Sequence, residues 1–258
     1  MLKFKYFFIL VVIINIDLYS QDLDAEKYII NVATSNINNN VNISENYLLR
    51  GNCYLKLKEY YKSEKDYNKA LFYDSTNTEA FLNKAILYTE IKKYEQAKIY
   101  FDTYLKVSKI ISQDYYFYLG LLYFKQSKYN KSILEFAKIQ ENNENYLDAI
   151  YNIAMANIKM KEYNNSVKYL NKYISFDVNN FTVYYYLGIS FYYTNMYNEA
   201  ISNFIKSLKL NDEQNYIFMY LAESYYFTEK KDSCCIYYNK AINNGIKIDA
   251  KFKKYCTN

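Results

Sequence analysis

The chain repeats itself every 34 residues or so, and a period of that length leaves few folds open. Units begin at Ser44, Thr78, Gln113, Leu147, Phe181 and Asn215, at spacings of 34, 35, 34, 34 and 34 residues. Such a period marks one supersecondary unit stacked on copies of itself, because a single unit cannot bury its own apolar side. The eighth position of the units reads Gly51, Ala85, Gly120, Ala154, Gly188, Ala222, and the twentieth reads Ser63, Ala97, Ser132, Ser166, Ala200, Cys234. All are small, which lets two antiparallel helices approach closely. Large residues complement them at the fourth position (Tyr47, Phe81, Tyr116, Ile150, Tyr184, Phe218) and the eleventh (Tyr54, Tyr88, Tyr123, Asn157, Phe191, Tyr225). The twenty-fourth carries Tyr67, Phe101, Phe136, Leu170, Phe204 and Tyr238. These offsets put an apolar stripe along each helix. Three of the four glycines stand at the eighth position. Glycine inside a helix costs about 1 kcal/mol relative to alanine, so close packing must compensate there. Polar breaks such as LKLKEY and KMKEYN separate the two helices of a unit, and turns such as DSTNT and ENNEN close it.

Composition narrows the chemistry. The 258 residues include no His, Pro or Trp, which favours helices and removes Ser/His/Asp catalysis, Cys/His catalysis and His-containing metal sites. No phosphate-binding glycine loop and no Cys-x-x-Cys is present. The reading is a non-enzyme with no catalytic residue, no metal and no cofactor. Of the cysteines, Cys53, Cys234, Cys235 and Cys256, Cys234 occupies a small packing position. An oxidised Cys235–Cys256 pair is one option in an oxidising compartment, but four cysteines allow three full pairings and the sequence does not choose among them. Formal net charge is +5, Arg50 is the only arginine and the lysines are scattered among acids, so nucleic acid is not an expected partner.

At the N-terminus, Lys3 and Lys5 precede an apolar run from Tyr6 to Ile16, and Asp17 follows. This is the layout of a secretory signal peptide, too short for the ~20 residues of a bilayer span. Cleavage is predicted after Ser20, giving an exported chain, periplasmic or extracellular, with no membrane span and a net charge of +4. A retained anchor or a buried first helix is the alternative. Residues 21–43 read as a helix and an Asn-rich connector, and 249–258 as a capping stub with Phe252 on its apolar side.

The segments NYLLRGNCYLKLKEYYKSEKDYNKAL and YYLGISFYYTNMYNEAISNFIKSLKLN resemble the tetratricopeptide-repeat (TPR) family, with repeats at 44–77, 78–112, 113–146, 147–180, 181–214 and 215–248. The resemblance implies an all-α solenoid of helical hairpins wound into a right-handed superhelix. The family's helix-breaking proline near position thirty-two is missing, and Asn/Asp turn chemistry substitutes for it. Arg50 and Lys84 stand at the seventh position, where later units carry Leu119, Ile153, Leu187 and Leu221. The first two hairpins are therefore expected to be looser or more solvated.

The resemblance further implies that the first helices line a concave groove for a peptide or partner protein. Mapped here, the groove presents Asn52, Asn83, Phe117, Tyr118, Tyr151, Asn152, Tyr185, Tyr186, Tyr192 and Tyr220. Rings supply contact area at low entropy cost and amides pair with a ligand backbone. Packing against the neighbouring repeat is the alternative role for any single ring. Asn52 and Asn83 match the amides of a clamp that some family members use for acidic tails. The clamp's cationic positions hold Leu48, Asp114 and Tyr118, so acidic-tail recognition is not carried over. The expected function is a non-enzymatic scaffold or adaptor. A structural part of a cell-envelope assembly is the alternative, and an RNA-binding helical repeat is disfavoured by the single arginine.

Overall fold

The computed structural model describes residues 24–257, and among them every regular element is a helix. The signal-like segment 1–20 lies outside the described residues. The chain falls into two compact units, one up to Tyr115 and one from Tyr116. The first contains α1 (24–38), α2 (Ile43–Lys56), α3 (Tyr60–Tyr73), α4 (Thr78–Glu90) and α5 (Tyr94–Val107). The helix α6 (Gln113–Lys125) begins at its end. The second continues with α7 (Tyr129–Phe136), α8 (Tyr146–Lys159), α9 (Tyr163–Ile174), α10 (Phe181–Tyr193), α11 (Tyr197–Leu210), α12 (Ile217–Phe227), α13 (Lys231–Asn243) and α14 (Ala250–Thr257).

The first helix of each hairpin ends where the backbone turns left-handed, and the six do so in register. Lys58, Lys92, Ser127, Lys161, Asn195 and Glu229 all occupy the fifteenth repeat position, with φ between 58° and 64°. The next residue's N–H then donates to a carbonyl five residues back, as in Glu59 to Tyr54 (2.8 Å), Glu162 to Asn157 (2.8 Å) and Lys230 to Tyr225 (2.9 Å). The left-handed residue itself donates three residues back, as in Lys161 to Ile158 at 2.9 Å. This is the Schellman closure, which satisfies carbonyls that the helix leaves orphaned. Glycine is the residue that adopts the conformation most easily, yet none of the six positions holds one. At the other end of the hairpin, asparagine does the work of the missing proline. The Asn77 side chain accepts the Ala80 N–H at 2.9 Å, and Asn180 accepts those of Thr182 and Val183, capping α4 and α10.

Within the hairpins, a ring from the second helix lies on the small residue of the first. A Cβ built on Gly51 would stand 2.7 Å from the Tyr67 ring, one on Gly120 2.8 Å from Phe136, and one on Gly188 2.5 Å from Phe204. Tyr67, Phe101, Phe136, Leu170 and Phe204 are all fully buried. Ser132 seals the same interface by donating its hydroxyl to the Gly120 carbonyl at 2.9 Å.

The expectation of looser first hairpins is corrected. Arg50 donates to both Asp66 oxygens, from Nε at 2.6 Å and Nη2 at 2.8 Å, while Nη1 reaches the Thr34 hydroxyl of α1 at 3.0 Å. Hydrogen bonding to Asp66 raises the Arg50 pKa above its ordinary value. Lys84, buried at 4% exposure, donates to Asn68 and lies 4.2 Å from the Tyr100 ring centre. A planar guanidinium meets a carboxylate as a fork, so the cation is paired in the interior rather than solvated. At the C-terminus, Cys235 of α13 and Cys256 of α14 form a disulfide with their Cα atoms 5.4 Å apart. Phe252 is fully buried beside Tyr226, and Cys234 is a buried free thiol.

Two outcomes test this packing. Gly188→Ala should lower stability by about 1–3 kcal/mol, because its methyl collides with a ring that has no room to retreat. An unfolding midpoint in urea at or above the parent's would contradict the close contact. Lys161→Gly should raise stability by about 0.5–1 kcal/mol, the relieved left-handed strain less glycine's extra unfolded-state entropy. A lower thermal midpoint would show that the turn carries no such strain.

Candidate functional site

Residues seven apart on a helix return to the same face, so Tyr185 and Tyr192 of α10 share one side of it. Neighbouring first helices add rings to that side within the second unit. Tyr151 of α8 meets Tyr186 edge to face at 6.2 Å, and Tyr186 lies 5.0 Å from Tyr185. Tyr185 meets Tyr216 at 5.0 Å and Phe204 at 6.2 Å. Phe204 stacks on Tyr220 of α12 at 5.6 Å, and Tyr220 meets Tyr192 edge to face at 5.3 Å. Five of the sequence-predicted residues, Tyr151, Tyr185, Tyr186, Tyr192 and Tyr220, thus form one half-buried ladder of rings.

The remaining predicted residues are placed otherwise. Phe117 is only 8% exposed and packs against Phe136, so it offers a binder little surface, while Tyr118 beside it is half-buried. Asn152 donates to the Asp148 carbonyl of its own helix at 2.8 Å. In the first unit Asn83 donates to Asn52 at 2.8 Å, and the same Asn52 oxygen accepts the Tyr67 hydroxyl at 2.9 Å. These amides already serve the fold, which a position on the repeat could not reveal.

The ladder is electrically quiet except at one end. Burial, with the Tyr186 hydroxyl nearby, pushes the Tyr151 phenol above its ordinary value, and burial with Tyr220 and Tyr216 does the same to Tyr185. Burial, then the neighbouring Tyr193 and Glu223, pushes Tyr220 up to about 12. These phenols are neutral donors at any ordinary pH. Burial and a hydrogen bond to Glu223 likewise raise Tyr192, whose hydroxyl donates to Glu223 Oε2 at 2.5 Å. Glu223 was not singled out from the sequence, although a signal existed. It stands at the ninth position, where the other units carry Asn52, Ile86, Leu121, Met155 and Ile189.

Two further features gather thiols or polar side chains. The sulfurs of Cys234, Cys235 and Cys256 all lie within 4.8 Å of one another, but two of them are committed to the disulfide, so the group as it stands holds no metal. Asn157 replaces the aromatic residue of the eleventh position, and a polar depression of about 510 Å³ opens beside it, lined by Asn130, Glu162, Asn165 and Lys168. Neither presents a nucleophile beside a base.

A family model described as tetratricopeptide repeat matches residues 44–77, 78–110 and 147–180. Among solved structures, the C-terminal part of a TPR repeat-containing protein from Cytophaga hutchinsonii is similar at 21% identity and a TM-score of 0.67, over 80% of this chain and 81% of that one. PilW, described as a widely conserved type IV pilus biogenesis factor, gives 16% identity and a TM-score of 0.64, over 76% of this chain and 90% of its own. YrrB, described as a TPR protein with an unusual peptide-binding site, gives 19% and 0.56, over 70% and 93%. At these identities the likeness is one of fold. No curated protein matches the sequence. With three matched repeats, and the same helical hairpin built at each of them, the chain carries tetratricopeptide repeats at 44–77, 78–110 and 147–180.

Proposed function

We propose that this protein is a non-enzymatic interaction scaffold that holds a peptide or partner protein on the ring ladder of α8, α10 and α12. The observation that carries the reading is the ladder itself: five half-buried rings from three successive first helices, in two groups of touching rings joined through the buried Phe204 of α11. Core rings such as Tyr184 and Phe204 are covered, whereas the ladder rings pack against the core and still keep part of their surface open. Aromatic side chains that keep an open face supply large contact area with few torsions to freeze, the property that makes them interface anchors. The peptide-binding site named for YrrB is consistent with a surface of this kind on the same fold.

The same reading places the work outside the cytoplasm. The signal-like N-terminal segment and a disulfide between α13 and α14 both suit an oxidising compartment, and the likeness to a pilus biogenesis factor suits the cell envelope. No described helix is long and apolar enough to cross a membrane.

Affinity capture from envelope and cytosolic extracts of the source cell tests the proposal, with the parent and a Tyr151→Ala/Tyr185→Ala/Tyr192→Ala variant as baits. A partner retained by the parent and lost by a variant of equal helicity is the expected result. If both baits hold the same partner, the ladder is not the docking surface.

A further inference from the structure

The end of the ladder differs from the rest by carrying a charge. Tyr192 and Tyr193 of α10 meet edge to face at 5.3 Å, Tyr220 of α12 stands 5.3 Å from Tyr192, and Tyr163 of α9 stacks on Tyr193 at 4.8 Å. Glu223 lies one turn beyond Tyr220 on α12, and its carboxylate accepts the Tyr192 hydroxyl. A phenol satisfies one lone pair of a carboxylate without cancelling its charge. No ion pair to Glu223 is present among the described residues. Elsewhere this chain covers its rings with its own lysines, such as Lys206 over Tyr184 and Lys84 over Tyr100, both at 4.2 Å. Among the described residues no cation lies over Tyr192, Tyr193 or Tyr220.

We propose that this ring-walled carboxylate is the docking point for a basic side chain, arginine or lysine, of a partner polypeptide. The inference rests on the ladder being the binding surface. The π-faces attract a cation and the carboxylate gives it a charge-assisted hydrogen bond, both strengthened as water is excluded. A partner with a neutral or acidic residue here would desolvate Glu223 without replacing what it loses. Arginine gains more than lysine, because its plane stacks on a ring while its edge faces the carboxylate. The preference is opposite in sign to that of an acidic-tail clamp.

The test uses the full protein and two small probes, Nα-acetyl-arginine amide and its uncharged counterpart Nα-acetyl-citrulline amide, followed by NMR shifts of the tyrosine ring resonances. The arginine probe should shift Tyr192, Tyr193 and Tyr220 saturably in the millimolar range, about tenfold tighter than citrulline. Glu223→Gln, with helicity unchanged, should abolish that preference. Equal binding of the two probes, an undiminished preference in the Gln variant, or no saturable shift would each overturn the inference. Capture with Glu223→Gln as a third bait separates the two claims. A partner lost by the triple alanine variant but kept undiminished by Glu223→Gln leaves the ladder standing and removes the basic side chain. A partner kept by both removes the ladder.

Discussion

The contact on which the structure depends is a ring set directly on the backbone of a facing helix. Tyr67 on Gly51, Phe136 on Gly120 and Phe204 on Gly188 bring the two helices of a hairpin closer than any Cβ would permit. That approach buries each ring completely, and it offsets the penalty of glycine in mid-helix. It also decides what remains outside. With the twenty-fourth position turned inward, the rings of the fifth, sixth and twelfth positions on α8, α10 and α12 pack beside that seat, Tyr185 and Tyr220 against Phe204 itself, and stay half-buried. The ladder is a consequence of the seat.

The turns show how a chain poor in glycine and without proline still ends its helices in register. Six non-glycine residues accept a left-handed backbone because the closure satisfies two orphan carbonyls at each site. Asparagine caps then restart the next helix at Asn77 and Asn180. The strain is distributed over six short turns, and hydrogen bonding offsets it locally at each one.

Charge is handled differently in the two units. In the first, Arg50 and Lys84 enter the interior and find partners there, a carboxylate and an amide, with an aromatic face beneath the lysine. In the second, a carboxylate stands among phenols that burial holds neutral. A charge completed inside the fold supports architecture, whereas a charge left without its opposite is a feature that a partner can complete.

Helical hairpins, their period and the small-against-large logic of their packing were legible in the sequence, because a repeat prints the same physical requirement six times at the same offsets. The ring positions Tyr151, Tyr185, Tyr186, Tyr192 and Tyr220 were legible for the same reason. What each position touches was not. The amides Asn52 and Asn83 turned to each other, Phe117 turned to the core, and Arg50 found Asp66 sixteen residues away. Pairing of Cys235 with Cys256, left open among three arrangements, follows from where α14 packs beside α13. Periodicity assigns a residue to a face, but a side chain's partner is chosen by distances between helices that only the packed chain sets.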